Sequence, residues 1–137
     1  MTEERQIKMG ELLEMGRAYR DQRQRVIAAH GNNPDDSRAC YFSKEIYAKI
    51  LIEAQCDGIR TYYGLRKEPD GRYYHTVILV GTRNKVDALD EADYVAVAQN
   101  SDDPEVMYEW GSLCPPGKEC AAGTLLPQID EDLQRPT

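Results

Sequence analysis

Long hydrophobic runs are missing from this chain, and no run of Val, Ile and Leu exceeds the four residues Val77-Ile78-Leu79-Val80. A membrane-crossing helix needs about 20 consecutive apolar residues, so no membrane partner is expected. The opening Met1-Thr2-Glu3-Glu4-Arg5 lacks the basic-then-apolar order of a secretion signal, and a cytoplasmic location is expected. Histidine is scarce, with only His30 and His75. A general base needs a nucleophile and an orienting acid within hydrogen-bond reach. The sequence offers no serine elbow, no H-E-x-x-H helix and no paired carboxylates in an apolar frame. His75 therefore reads as a structural residue, His30 as a favourable cation at a helix C-terminus, and no catalytic residue is assigned. Gly58, Gly64, Gly71 and Gly81 punctuate strands and do not form a phosphate-cradling G-x-G-x-x-G. No cofactor is expected.

Hydrophobic residues make up 41% of the 137 positions and charged residues 30%, a globular balance at the size of one domain. The net charge of −7 is unevenly placed, since Lys118 and Arg135 are the only bases after Lys85 while acids recur throughout that stretch. Such a segment repels phosphate backbones, which argues against nucleic acid. It could simply solvate the surface, or it could meet a basic surface such as the arginine-rich helix of another copy. The four cysteines are Cys40, Cys56, Cys114 and Cys120. Without a secretion signal, free or buried thiols are expected. Five residues separate Cys114 from Cys120, which suits neither a zinc knuckle nor a two-residue redox loop. They remain weak metal or redox candidates.

Periodicity predicts one long helix over residues 2–30, with Met9, Leu12, Gly16, Tyr19, Val26 and His30 on one face. Acids lead and bases (Arg17, Arg20, Arg23, Arg25) follow, the order its dipole favours, and Gly31 is expected as a left-handed cap. The apolar stripe is too thin for a core to hold the whole length. Residues 38–42 form a strand candidate, and Ser43 caps a helix over about 44–55 that ends at Asp57-Gly58. A hairpin follows over about 58–82, turning at Pro69-Asp70-Gly71. Its second strand is apolar on both sides, which predicts a central strand. Residues 84–93 read as a charged connection, and Tyr94 to Ala98 as strand or helix. A short helix from Asp102 or Asp103 would carry Val106, Met107 and Trp110 and end at Gly111.

Nine tyrosines against one phenylalanine is a further departure from an ordinary core. Tyr62, Tyr63, Tyr73 and Tyr74 cluster on the hairpin with Arg60, Arg66 and Arg72. Tyrosine and arginine anchor interfaces because each buries apolar area while keeping a polar tip, although the same mixture can cover a half-wet sheet face.

The runs Phe42-Ser43-Lys44-Glu45, Cys56-Asp57-Gly58-Ile59-Arg60-Thr61-Tyr62-Tyr63-Gly64 and Val77-Ile78-Leu79-Val80-Gly81, with Cys114-Pro115-Pro116 and Cys120, resemble a family of small uncharacterised bacterial proteins. Its members share an F-S-x-E helix start, a C-x-G-I-R-x-Y-Y-G strand, an L-V-G strand end and a late C-P-P…C segment. The resemblance covers about residues 40–82 and 112–120, and it implies fold and class without an activity.

Together these readings predict an α+β fold. A small, mainly antiparallel sheet would build on the 58–82 hairpin, packed by the 44–55 helix and joined by a long N-terminal helix. The expected organisation is a single domain, with the helix over 1–31, the α+β core over 38–111 and a Cys-Pro segment with a polar tail over 112–137. The expected function is non-enzymatic: a module that binds itself or another protein, as a homo-oligomer, through Leu12, Leu13, Tyr19, Arg20, Arg23, Tyr62, Tyr63, Tyr73 and Tyr74. Alternatives are a thiol-dependent metal or redox protein centred on Cys114 and Cys120, and a small enzyme with a pocket near His75 and Arg60.

Overall fold

The structure, a computed structural model, describes residues 4–31, 33–89, 107–109, 111–117 and 120–131. In chain order the elements are α1 (Met9–Tyr19), a π-helical stretch (Arg20–Gln24), α2 (Arg25–His30), β1 (Ala39–Tyr41), α3 (Lys44–Ala48) and a second π-helical stretch (Lys49–Glu53). There follow β2 (Gly58–Lys67), β3 (Tyr73–Arg83), β4 (Val86–Asp87), β5 (Met107–Tyr108), β6 (Ser112–Cys114) and α4 (Leu126–Asp130). This is the expected α+β fold, with a long N-terminal helix and an antiparallel sheet on a central hairpin.

The hairpin organises the molecule. Strands β2 and β3 pair from Gly58↔Thr82 to Lys67↔Tyr73. At the turn, Gly71 takes φ +83°, a conformation without side-chain penalty only for glycine. The Asp70 carboxylate fixes the return by accepting the Arg72 amide at 2.8 Å and the Tyr74 hydroxyl at 2.6 Å. The other side of β3 receives β4 and β5, so β3 is central as its two-sided apolar pattern predicts. A second tight turn lies where a charged connection was expected. Asn84 and Lys85 both have positive φ, as a two-residue hairpin turn requires, and they return the chain into β4.

Side chains alternate across the hairpin, and the face carrying odd-numbered residues is the core face. There Leu79 joins Phe42, Ile50 and Cys56, with Ile46, Ile59, Val77 and Tyr108 packed around them. Gly81 lets α3 and its π-helical continuation approach closely, since a Cβ at this position would lie 2.5 Å from Cys56 Sγ and 2.7 Å from Ile50 Cγ2. On the even face Arg66 is enclosed, 3.2 Å from Glu109 and 2.7 Å from Glu68, and Thr76 donates to Glu109 at 2.8 Å.

Several boundaries differ from the sequence reading. The long helix starts at Met9, not at residue 2, because the Glu11 carboxylate accepts the Lys8 amide at 3.3 Å and anchors Arg5 at 2.7 Å. Gly31 is extended, not left-handed; the reason for glycine is crowding, as a Cβ would meet the Ile27 carbonyl oxygen at 2.7 Å. The helix begun at Lys44 stops before Asp57-Gly58, where Gln55 turns with φ +56°. Ser43 stands at its N-cap without a side-chain capping bond. Met107 is in β5, not in a helix, because its pairing with Val80 extends the sheet. The expected element at Tyr94 to Ala98, and the remainder of the expected helix around Val106 and Trp110, lie outside the described residues.

Strand β1 pairs with β6 in a separate two-stranded sheet, Cys40 opposite Leu113. The expectation of four free thiols is corrected here, for Cys114 and Cys120 are joined by a disulfide. The Gly117 amide donates to the Leu113 carbonyl at 2.7 Å, turning the chain so that the two Cα atoms lie 5.3 Å apart, within bridging distance. Cys40 and Cys56 are free.

The long helix buries only Arg20. It is held instead by α4. Gly16 sits so close to Ile129 that a Cβ would be 2.6 Å from its Cδ1. Arg17 donates to the carbonyls of Ile129 and Gln128 at 3.0 and 3.2 Å, and Arg20 donates to Ile129 at 3.0 Å. Cations satisfy the open carbonyl end of a helix, so the basic half of the long helix meets a short acidic partner from the same chain.

Candidate functional site

A cavity of about 470 Å³ opens between the long helix and the core face of the hairpin. Tyr19, Arg23 and Ile27 form its helix wall. The segment Ser37 to Cys40 forms a second wall, and Tyr63, His75 and Val77 rise from the sheet. Its volume falls within the usual range for small-molecule sites, about 300–1,000 Å³.

Two backbone anchors hold His75 in this wall. The Asp36 carboxylate accepts the His75 amide at 2.6 Å and also the Ser37 amide at 2.9 Å, and the Ser37 hydroxyl donates to the His75 carbonyl. The imidazole meets the Tyr63 ring edge-on, with centroids 5.3 Å apart. Burial pushes the Tyr19 hydroxyl above its ordinary pKa, and the nearby Asp36 charge adds to the effect. Burial likewise raises the Cys40 thiol, which keeps it protonated and unlike an activated nucleophile. These groups offer hydrogen bonds and ring faces, which suits binding.

Arg60 does not join His75. Residues opposite each other in this hairpin share parity, so odd and even positions occupy different faces. Arg60 stands on the even face at 2.5 Å from Asp87, and Tyr62 donates to the same carboxylate. That parity was readable in the sequence once the turn was fixed at Pro69-Asp70-Gly71. The role of Asp36 left no such signal, because it belongs to no recognisable motif.

The interface candidates are dispersed. Leu12 and Leu13 are half-buried, and Leu12 lines a second cavity with Leu126 and Ile129. Tyr19 is half-buried at the first cavity and Arg23 is exposed at it. Arg20 is 3% exposed and Tyr74 is 3% exposed, both bonded within the chain. Tyr62, Tyr63 and Tyr73 remain exposed on the hairpin. Among the described residues no group of three or more His, Cys, Asp or Glu is placed to hold a metal ion, and no helix is long and apolar enough to cross a membrane.

The outer edge of β2 completes the picture. Among the described residues no strand pairs with it, and along ten residues it presents Tyr63 at 79% and Leu65 at 71% exposure on the core-side face. Comparisons with family models, curated proteins and solved structures find no match.

Proposed function

We propose that this chain is a binding module that pairs with a second copy of itself along the outer edge of β2. The observation that carries the reading is the open ten-residue edge with Tyr63 and Leu65 exposed beside it. Unpaired edge N–H and C=O groups are a template for another strand, and natural proteins usually shorten or cover such edges.

Charge and shape favour a second copy as the occupant. An antiparallel pairing centred on Tyr62 sets Ile59 opposite Leu65, and Thr61 opposite Tyr63, on one face. On the other face Arg60 falls opposite Gly64 and Arg66 opposite Gly58, so no like charges confront each other. Asp57, just before the strand, faces Lys67. Opposite-charge and aromatic cross-strand pairs stabilise sheets, while like charges directly opposite destabilise them. The contact is isologous, so it closes as a dimer.

The test is sedimentation of wild type and a Tyr63→Lys, Leu65→Lys variant over a wide concentration range, with thermal melts of both. A concentration-dependent dimer in wild type, a monomeric variant and an unchanged dilute melt support the reading. A wild type that stays monomeric throughout, or a variant that dimerises as well as wild type, overturns it.

A further inference from the structure

The cavity beside His75 keeps two half-buried polar groups open among apolar walls. Other polar side chains in its lining are already committed: Ser37 donates to the His75 carbonyl, Thr76 to Glu109, and Arg38 to Asp130 at 2.8 and 2.9 Å. The Arg38 Nε–H is sealed from solvent and takes no part. The Tyr19 hydroxyl and the His75 ring nitrogens, by contrast, make no hydrogen bond among the described residues, and neither group is sealed. Around them the wall is Ile27, Ala39, Val77 and the Tyr63 ring. An apolar pocket with a few convergent polar groups is the usual form of a small-molecule site.

Charge near these groups carries both signs. Arg38 is matched by Asp130, and Asp36 lies close by. Burial raises the Tyr19 pKa most, the Asp36 charge adds to it, and the Arg38 charge works the other way. Arg23 reaches the wall from an exposed position and bonds to the Gln22 carbonyl at 3.1 Å, so its charge sits in water. A charged ligand of either sign would lose its own hydration here without a dedicated counter-charge, which is costly. A neutral ligand meets no such cost. The protonated Tyr19 hydroxyl can both donate and accept, and a neutral imidazole has one nitrogen of each kind. Ring surface is available too, since Tyr63 and His75 meet edge-on with centroids 5.3 Å apart, and aromatic rings attract a further ring in stacked or edge-on contact.

We propose that this cavity binds a small, neutral, flat ring compound carrying both a hydrogen-bond donor and an acceptor, of the aromatic lactam class. Its polar edge meets the Tyr19 hydroxyl and the His75 imidazole, and its ring lies against Ile27, Val77 and Tyr63. Selectivity follows from shape and charge together. A saturated ring of the same polarity loses the aromatic contacts. A ring without its N–H leaves an acceptor in the wall unused. An ion gives up water for no opposite charge. The proposal goes beyond self-association and does not rest on it, because it depends on Tyr19 and His75 and not on the outer edge of β2. Tyr63 borders both surfaces, so the variants below leave it unchanged.

The test is calorimetric titration of the full chain with carbostyril and isocarbostyril, two neutral bicyclic lactams, followed by carbon–proton NMR of the tyrosine and histidine rings. Comparison ligands are the N-methyl lactams, the ring-saturated lactams, and two ions of similar shape, quinaldate and N-methylquinolinium. At least one aromatic lactam should bind one-to-one and shift the ring signals of Tyr19 and His75. It should bind about threefold to tenfold more tightly than its N-methyl or saturated counterpart, the gain expected for one neutral hydrogen bond or one aromatic contact. Both ions should bind more weakly still. Tyr19→Phe and His75→Phe keep a ring and remove only groups without a partner in the chain, so each should melt as wild type does and bind the lactam about threefold or more weakly. Four results would each overturn the proposal: no binding of either lactam, tighter binding of either ion, no preference over the saturated lactam, or both variants binding as wild type with the Tyr19 and His75 signals unmoved.

Discussion

Arg38 grips Asp130 through two parallel bonds, Nη1 to Oδ2 at 2.8 Å and Nη2 to Oδ1 at 2.9 Å, across 92 positions of sequence. Arg20 Nη1 adds a third contact to the same carboxylate at 3.5 Å. The α4 helix is thereby tied both to the long helix and to the segment entering β1. Bidentate pairing of this kind fixes orientation as well as position.

Acid should loosen that tie. Hydrogen bonding from Arg38, set against partial burial, holds the Asp130 carboxyl below its ordinary pKa. A depressed folded pKa contributes stability that is present above the unfolded value, about 3.9 for Asp, and is lost as pH falls through the folded one. Thermal melts between neutral pH and strong acid should show wild type falling more steeply than Asp130→Asn below about pH 4, with the variant less stable at neutral pH. Parallel curves would show that the pair contributes nothing.

Two glycines should respond oppositely to alanine. Gly81→Ala drives a methyl into Cys56 and Ile50, and overpacking of this kind costs about 1–3 kcal/mol. Gly10→Ala meets nothing within 4 Å in the first turn of α1 and should stabilise by up to about 1 kcal/mol. Denaturant melts of both variants decide it, and a Gly81→Ala as stable as wild type would mean the α3–β3 contact is looser than described.

Alkylation should separate the cysteines into two pairs. Unfolded without reductant, the chain should take up label at Cys40 and Cys56 alone, and with reductant at all four. In the folded state Cys56, 6% exposed, should be the slower of the free pair. Intact-mass measurement reads this directly. Full labelling before reduction would refute the Cys114–Cys120 bond.

The hairpin was legible because alternation, a Pro-Asp-Gly turn and a two-sided apolar strand all pointed to one register. Leu79 was visible as core on the same grounds. The helix start was displaced because periodicity says nothing about where Glu11 finds the Lys8 amide. Strand β5 was hidden, since two residues, Met107 and Tyr108, carry no period of their own and are fixed by pairing with β3. The basic helix and the acidic C-terminal segment left two readings open, a solvated surface or contact with a basic surface of another copy. Charge alone cannot tell contact within a chain from contact between chains, however, and Arg17, Arg20 and Arg38 meet α4 of the same chain. The cavity was invisible for a related reason. Its walls come from Tyr19, Arg38 and His75, which are brought together only when the long helix crosses the sheet.

The docking of α4 against Gly16 has a consequence for synthesis. The long helix is synthesised well before its anchor, for Arg17 precedes the Ile129 carbonyl it meets by 112 positions. Until then Arg17, Arg20 and Arg38 have no carbonyl end or carboxylate from α4 to meet, and Gly16 faces no Ile129. The nascent chain can close its hairpin and the core around Ile50 during translation, but the N-terminal helix must wait. Final docking of the long helix therefore waits until α4 has been made, and a chain released before α4 would expose a basic helix without that anchor.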